Sequence, residues 1–484
     1  MQGLRISALP PRTQPRIAMT LPFSSLALVA AALASAPLLV PSATDAAGET
    51  ASPLDTLPDG IECGLGKDFH AGRRAALREA VGDGWMVFRG LADTRDYLQF
   101  RQDKGFWWLT GIESPNVTFA MHAKSGQEIL FLPPHNAFKE RWEGEMWDAG
   151  DAWVTPLTGI GDVRSNRDLE DQLGELFEGE EFVWVSLAPH VEVAGCRDRA
   201  KPYDSRAHAD PFDGRMSREE AFAAAVTEKY GVETRDCTPE MDELRRVKTE
   251  EEIAAMRRAS EIGAASMAEA IRSTHAGLLE DQLASLMTFV QRQAGSTGPA
   301  YLPIVGSGPN ANVLHYAAAA STLDDGELVL LDYAPEVDHY VSDITRSWPV
   351  SGTFTPRMAE LYDVVLEAQE AGIAAVKPGV TIRDINAACN AVIRERGFME
   401  YVLHGACHYI GMEVHDVGDY DRPLEPGVAF TIEPGLYDIA AEIGIRIEDV
   451  VVVTEDGCEV ISAGVPKTRP ELEALVREKG LLDD

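Results

Sequence analysis

Residues 327–350, ELVLLDYAPEVDHYVSDITRSWPV, constrain the fold of this chain more than any other stretch. The apolar run at 329–331 predicts a buried strand, and the run at 340–341 predicts its return in an antiparallel hairpin that turns near residues 337–338. With symmetric pairing, Asp332 and Asp343 would face each other across neighbouring strands, with Cβ atoms about 5 Å apart.

Two facing carboxylates in an apolar setting repel each other. Such a pair must share a proton, take up a cation or destabilise the sheet, and a divalent metal ion is the simplest remedy. The alternative is that one Asp belongs to a turn while the other caps the following helix. A metal site therefore needs further ligands elsewhere in the chain.

Three histidines that could supply further metal ligands occur about sixty residues later. The segment LHGACHYIGMEVHDVG at 403–418 carries them: His404, His408 and His415. Any one alone could be an ordinary core or surface histidine. Together, among glycines and short apolar runs, they are candidates for ligands or proton donors.

Two carboxylates follow in strand-like sequence. FTIEPGLY places Glu433 at the end of a strand, and GIRIEDVVVVT places Glu448 in a strand that continues as four valines. A carboxylate in so apolar a run is costly unless it is paired or bound to a metal. Arg446, two residues earlier on the same face, is the alternative partner of Glu448.

The order of predicted elements repeats within residues 238–468. A capping box at Thr249 and Glu252 begins a helix towards residue 271, and a second helix follows around 283–290. Helices at 361–368 and 382–396 recur about a hundred residues later, and strand-rich sequence follows each pair. The repeat predicts two halves related by a pseudo-twofold with a site between them, unless the short matches are chance.

The region 66–235 predicts a separate α/β domain. Its pattern indicates a helix at 71–81, strands at 85–88, 128–132 and 182–185, and a polar loop at 198–218. His, Asp and Glu do not concentrate there at ligand-like spacings. We therefore expect a domain for support or specificity.

The combined set of donors is two Asp, one His and two Glu, which suits a pair of hard or borderline divalent ions better than a closed structural zinc. Their order, Asp332, Asp343, His408, Glu433, Glu448, resembles the pita-bread (M24) metallopeptidases, the family of methionine aminopeptidase, prolidase and aminopeptidase P. YLPIVGSGPNANVLHY at 301–316, the histidine segment and GIRIED look most like aminopeptidase P, with prolidase next.

The resemblance implies an α+β architecture. A pita-bread (creatinase/aminopeptidase) catalytic domain would occupy 238–468, preceded by an α/β creatinase-like N-terminal domain at 66–235, which FWWLTGIESPNVTFAMH resembles, and followed by a tail at 469–484. The link from Glu433 to Arg446 is shorter than aminopeptidase P often has. That departure bears on the preferred substrate length.

The resemblance also implies roles for individual residues. The five residues would hold two divalent ions, which are expected to be Mn(II), with Co, Fe or Zn as alternatives. A hydroxide would bridge the two ions. Glu433 would also carry a proton from that water to the departing nitrogen. The remaining implied roles are outer donors at His315, His404 and His415, a contact to the hydroxide from Tyr301, and support of Glu448 or Asp343 by Arg446.

The implied activity is hydrolysis of the N-terminal Xaa-Pro bond of peptides with proline in second position. Such a bond lacks an N–H, so the enzyme must recognise the shape of proline. Alternatives are an Xaa-Pro dipeptidase, a pita-bread binding module that has lost its ligands, and a creatinase-like metal-free hydrolase. The full ligand set disfavours the last two. Family members are commonly dimers or tetramers, so a homo-oligomer is expected.

Composition limits the partners. The formal charge of −35 argues against nucleic acid or an anionic membrane as the main partner. The first 47 residues have the layout of a signal peptide, with arginines at 5, 12 and 16, an Ala/Leu-rich run at 21–40 and alanines at 43, 46 and 47. A start at Met19 would remove those arginines and weaken this interpretation. We expect an exported, periplasmic or secreted protein without stable membrane insertion after cleavage. Prolines at 22 and 37 disfavour a retained anchor.

Six dispersed cysteines are expected to be small buried hydrophobes.

Overall fold

A computed structural model describes residues 52–483, and the predicted signal peptide lies outside that range. The helices are α1 (Lys67–Val81), α2 (Lys104–Thr110), α3 (Ala137–Glu143), α4 (Val154–Thr158), α5 (Leu169–Leu176), α6 (Arg197–Ala209), α7 (Arg218–Tyr230), α8 (Thr238–Arg246), α9 (Glu250–Arg272), α10 (Glu280–Gln293), α11 (Pro356–Ala375), α12 (Ile382–Arg396) and α13 (Arg469–Val476). Within 52–483, no helix combines the length and apolar character that crossing a bilayer requires.

The strands are β1 (Trp85–Arg89), β2 (Thr118–His122), β3 (Glu128–Leu132), β4 (Asp162–Ser165), β5 (Phe182–Val185), β6 (Glu233–Asp236), β7 (Gly298–Pro299), β8 (Ile304–Ser307), β9 (Leu328–Asp332), β10 (Pro335–Val337), β11 (Tyr340–Val341), β12 (Thr345–Pro349), β13 (Ala429–Ile432), β14 (Gly435–Asp438), β15 (Ile443–Arg446), β16 (Asp449–Val453) and β17 (Cys458–Val460).

The N-terminal region is built on one mixed sheet with strand order β4-β3-β2-β1-β5-β6. Side chains of β1 alternate between the two faces, as strand geometry requires. Met86 and Phe88 pack in the core that contains Leu77 of α1, whereas Trp85 and Val87 pack in the core that contains Val226 of α7. Helices therefore cover both faces of the sheet, as in an α/β domain.

The second region has the predicted repeated order. Helices α9 and α10 precede strands β7 to β12, and helices α11 and α12 precede strands β13 to β17. Side chains from both halves share one core, in which Trp348 of β12 and Phe430 of β13 are fully buried. The helix pairs thus lie behind strands whose ends carry the candidate ligands.

The hairpin at 327–350 exists, but its predicted register is wrong, because the residue opposite Asp332 lies two positions beyond the predicted Asp343. Asp332 is opposite Thr345, and Val337 is opposite Tyr340. The turn is formed by Asp338 and His339, both with positive φ (48° and 62°), as a tight hairpin turn requires. Asp343 is therefore diagonal to Asp332, on the same face of the ladder.

The capping box of α9 also joins the two regions. The Glu252 carboxylate accepts a hydrogen bond from the Thr249 amide at 2.7 Å. Its other oxygen accepts from Trp108 Nε1 of the N-terminal region at 3.0 Å and from the Tyr340 hydroxyl at 2.6 Å. A single buried carboxylate thus fixes the start of α9, the N-terminal region and the hairpin relative to one another.

Three other expectations can be compared with the structure. The predicted polar loop at 198–218 is wrong, because most of it is helix α6, whose low apolar content gave no periodic signal. The predicted tail contains α13, whose Leu472 and Leu475 are buried in the core. All six cysteines lie in the described range and are unbonded, and five of them are buried.

Truncating Leu472 to Ala should lower the free energy of unfolding by about 2–4 kcal/mol, because Leu472 is fully buried in the shared core. Leu481→Ala, at a residue that is 45% exposed, is the matched control and should change it by less than about 1 kcal/mol. Chemical denaturation measures both. Equal effects would show that the C-terminal helix does not contribute to the core.

Candidate active site

The five predicted ligands come together at the ends of strands from both halves. Asp332 is the last residue of β9, Glu433 directly follows β13, and Glu448 lies between β15 and β16. His408 Nε2 is 3.5 Å from Asp343 Oδ2, 3.4 Å from Glu433 Oε1 and 3.9 Å from Glu448 Oε1. Asp332 joins the group through Tyr301, whose hydroxyl is 2.5 Å from both Asp332 Oδ1 and Asp343 Oδ1.

The carboxylates destabilise one another's charged forms. Burial and then the neighbouring Asp332 raise the pKa of Asp343 far above its usual value. Burial and then Asp343 do the same to the pKa of Glu448. Burial and the adjacent Glu448 raise the pKa of Glu433 to about 8. Without a compensating positive charge, protons would have to occupy this site near neutral pH.

The polar atoms present fit a divalent metal site. Glu448 Oε1 is buried and has no hydrogen-bond partner within the described part of the chain. The Tyr301 hydroxyl has one hydrogen for two carboxylates. His408 Nδ1 lies 3.0 Å from the Tyr409 carbonyl, to which it donates, so Nε2 faces the carboxylates with its lone pair. One buried imidazole and four carboxylates suit a hard or borderline cation.

Arg446 is the buried cation at the centre of the site. It donates from Nη2 to Asp332 Oδ2 at 2.6 Å and from Nε to Thr345 Oγ1 at 3.2 Å. Thr345 in turn donates to Glu448 Oε2 at 2.7 Å. Arg446 therefore binds Asp332 directly and supports Glu448 indirectly, through Thr345.

His404 is held by a chain of hydrogen bonds from the same arginine. Arg446 Nη1 donates to the Tyr437 hydroxyl at 2.8 Å, and that hydroxyl donates to His404 Nε2 at 2.8 Å. His404 Nδ1 donates to the Gly405 carbonyl at 2.8 Å. Burial and then Arg446 lower the pKa of His404 to about 4. Both ring nitrogens are engaged, so this histidine positions its neighbours and does not offer a free N–H.

The N-terminal region contributes two residues that sequence reasoning missed. Arg199 donates to His315 Nδ1 at 3.1 Å, which leaves the hydrogen on Nε2 of the neutral ring. Asp198 Oδ2 is 2.7 Å from Nδ1 of His415, whose ring lies 4.2 Å, centroid to centroid, from that of His408. Burial lowers the pKa of His315, and burial and His408 lower that of His415 to about 4.

Other contributors left only weak signals in the sequence. Thr345 stands two residues after Asp343, and Tyr437 stands four after Glu433, so proximity to a candidate ligand could have suggested both. Asp198 and Arg199 lie in the segment that was expected to be a loop. Nothing in their local sequence indicates contact with histidines more than a hundred residues away.

Comparisons with known proteins agree with this geometry. A family model described as metallopeptidase family M24 matches residues 254–455, and one described as the N-terminal domain of aminopeptidase P matches residues 70–184. The Xaa-Pro aminopeptidase of Escherichia coli K12 is 30% identical over 447 residues, covering 84% of this chain and 96% of that protein. The chain belongs to metallopeptidase family M24.

Solved structures extend the match to three dimensions. An aminopeptidase P structure from Bacillus anthracis matches with a TM-score of 0.77 and 29% identity, over 86% of this chain and 100% of that one. Zinc-substituted Escherichia coli aminopeptidase P in complex with product matches with a TM-score of 0.71 and 28% identity, over 85% and 98%. The predicted fold, a pita-bread catalytic domain after an aminopeptidase P N-terminal domain, and the predicted class, a metallo-aminopeptidase, are confirmed.

The raised carboxylate pKa values predict that metal and protons compete for this site. Between the unfolded pKa of Glu, about 4.3, and the folded value of about 8 for Glu433, the metal-free folded state holds protons that the unfolded chain has lost. Its stability should therefore fall as pH rises through this window. The difference in Tm between metal-loaded and metal-free protein should grow from about pH 6 to about pH 8. A constant difference would contradict the proton-loaded site.

Replacing Asp343 with Asn should abolish stoichiometric metal binding, because Asp343 is buried beside His408 and Glu448. Asp338→Asn is the matched control on the same hairpin, where Asn tolerates the positive φ of the turn. Elemental analysis after dialysis measures both. Metal retained by Asp343→Asn, or lost from Asp338→Asn, would contradict the assignment.

Proposed function

We propose that this protein is an Xaa-Pro aminopeptidase that removes the first residue of peptides with proline in second position. The observation that carries the proposal is the convergence of Asp332, Asp343, His408, Glu433 and Glu448 at the wall of one large cavity. The relatives named Xaa-Pro aminopeptidase support the choice of substrate.

The five donors would hold two divalent cations, which would lower the pKa of a water molecule and polarise the scissile carbonyl. Glu433 is placed to move the proton. Its carboxylate lies at the cavity wall, where it would accept a proton from the attacking water and release it to the departing proline nitrogen. His315, whose hydrogen is on Nε2, is the outer histidine suited to donate to the carbonyl oxygen.

Apolar side chains beside the carboxylates suit the proline ring. Ile304, Leu314 and Val414 line the same cavity. A pyrrolidine ring has no N–H to satisfy, so it can be recognised by packing against such groups. This supports a preference for proline after the scissile bond.

The size of the cavity favours an aminopeptidase over a dipeptidase. Its volume is about 1050 Å³, and it is open to solvent. This is at the upper end of the roughly 300–1,000 Å³ that suits a drug-sized ligand, and it leaves room for several residues beyond proline. Peptides longer than two residues are therefore the proposed substrates.

Three further properties are proposed: the native metal, the location and the oligomeric state. Manganese is the proposed native metal, because carboxylate-rich sites with one imidazole suit it. Export to the periplasm or beyond is proposed from the pattern of residues 1–47. A homo-oligomer is proposed because Phe138 and Trp142 on α3 are 72% and 75% exposed, an aromatic pair suited to an interface.

The activity is tested with protein stripped of metal and reloaded with Mn(II), Co(II) or Zn(II). A peptide such as Ala-Pro-Ala-Ala should lose its first residue, the dipeptide Ala-Pro should be cleaved more slowly, and Ala-Ala-Ala-Ala should resist. Chromatography of the products measures all three. Preference for the dipeptide would favour the Xaa-Pro dipeptidase, and no cleavage with any metal would overturn both.

Glu433→Gln separates a metal-dependent enzyme from a binding protein in the same assay. Loss of the proton carrier should lower kcat by about 10²-fold to 10⁴-fold. Glu459→Gln is the control, because Glu459 is an exposed residue of β17 that pairs with Arg257 on the surface. Equal turnover of Glu433→Gln and the control would rule out the proposed proton transfer.

A further inference from the structure

One wall of the substrate cavity is a single face of helix α12. Arg383, Asn386, Asn390 and Arg394 line the cavity. Their spacings of three, four and four residues place them on one face of the helix. The wall therefore presents a row of amide and guanidinium groups to the cavity.

A hydrogen bond joins the middle of this wall to the catalytic loop, by which we mean residues 404–408. Asn386 Oδ1 accepts a hydrogen bond from the Ala406 amide at 2.6 Å. Ala406 is midway between His404 and the ligand His408. With a rise of about 1.5 Å per residue, Asn390 lies about 6 Å and Arg394 about 12 Å further along the helix axis. Asn390 and Arg394 therefore lie successively farther along the helix from the contact between Asn386 and Ala406.

Arg394 is a basic residue without a carboxylate partner among residues 52–483, although the chain has 78 acidic residues. Its neighbours on the helix are paired, Arg383 with Asp421 and Arg396 with Glu367. A cation in the last turn also favours the helix dipole, but Arg396 already supplies one there. The guanidinium of Arg394 therefore remains available to an anionic ligand.

We propose that Arg394 binds a carboxylate of the substrate three to four residues beyond the scissile bond. This rests on the proposed function and names a class of substrate for it. An extended peptide rises about 3.3 Å per residue, so a chain that starts at the catalytic loop and follows α12 covers 12 Å in three to four residues. The guanidinium fork matches a carboxylate, and the Asn390 amide lies partway along the route.

Two kinds of peptide carry a carboxylate at that position. One is a peptide of four or five residues with a free C-terminus, and the other is a longer peptide with Asp or Glu in position four or five. Both present the same group to Arg394. Peptides with a neutral C-terminus and neutral side chains at positions four and five should gain no affinity from Arg394.

A length series separates these cases. Peptides of the form Ala-Pro-(Ala)n, with three to seven residues, are compared as free acids and as C-terminal amides on the metal-loaded enzyme. For four and five residues, kcat/KM of the acid should exceed that of the amide by about threefold to tenfold, through KM, as expected for an exposed charge-assisted pair. A seven-residue amide with Glu in position four or five should show the same gain over its Gln counterpart.

Variants of the helix assign the effect to one side chain. Arg394→Gln should abolish the preference for the acid, and Arg394→Glu should reverse it, with kcat on the amides unchanged. Arg396→Gln is the matched control two residues away, and its preference should stay as in the wild type. Raising the salt concentration should shrink the wild-type preference, because the pair is exposed.

The proposal fails if acids and amides are equivalent at every length, or if the preference survives in Arg394→Gln. Binding of non-hydrolysable peptides, in which the Ala-Pro bond is reduced to a methylene amine, is measured alongside by calorimetry. If no peptide is cleaved, the proposed activity is wrong, yet the ratio of acid to amide Kd still accepts or rejects the subsite.

Discussion

Mutual repulsion among buried carboxylates is the constraint on which this structure depends. Asp332, Asp343, Glu433 and Glu448 share a space into which one arginine, Arg446, projects. One positive charge cannot neutralise four negative ones, so the site needs further cations or protons to be stable. The chemistry and the stability of the protein therefore have the same origin.

The contrast between Glu448 and its neighbour Asp449 shows how the fold distinguishes a functional carboxylate from a structural one. Asp449 is fully buried, but it pairs with Arg346 at 2.8 Å and Lys467 at 3.1 Å, which hold its pKa below the usual value against the effect of burial. Glu448 meets Arg446 only through Thr345. The fold neutralises Asp449 with cationic side chains and leaves Glu448 available to bind a metal ion.

The second organising feature is the way the N-terminal region completes the site. Glu413 and Asp416 flank His415 and are held by buried Arg245 at 2.9 and 2.7 Å. The Arg197 amide, at the start of α6, also donates to Glu413 at 2.7 Å. The same buried charges therefore fix the histidine loop and the helix that carries Asp198 and Arg199. This region supplies contacts to the outer histidines as well as a wall for the cavity.

The sequence by itself determined which structural elements and candidate ligands this protein has. They are an export-like leader pattern, an N-terminal α/β region, the repeated helix pairs, and five ligand candidates in an order typical of one family. These follow from local periodicity and from motifs whose residues are close in sequence. Tertiary structure alone decided the register of the hairpin, the direct partner of Arg446, and the approach of Asp198 and Arg199 to His415 and His315. It also decided which polar face of α12 borders the cavity. Such contacts join residues from about a dozen to more than two hundred positions apart. Their geometry depends on how buried side chains pack, which no local pattern records.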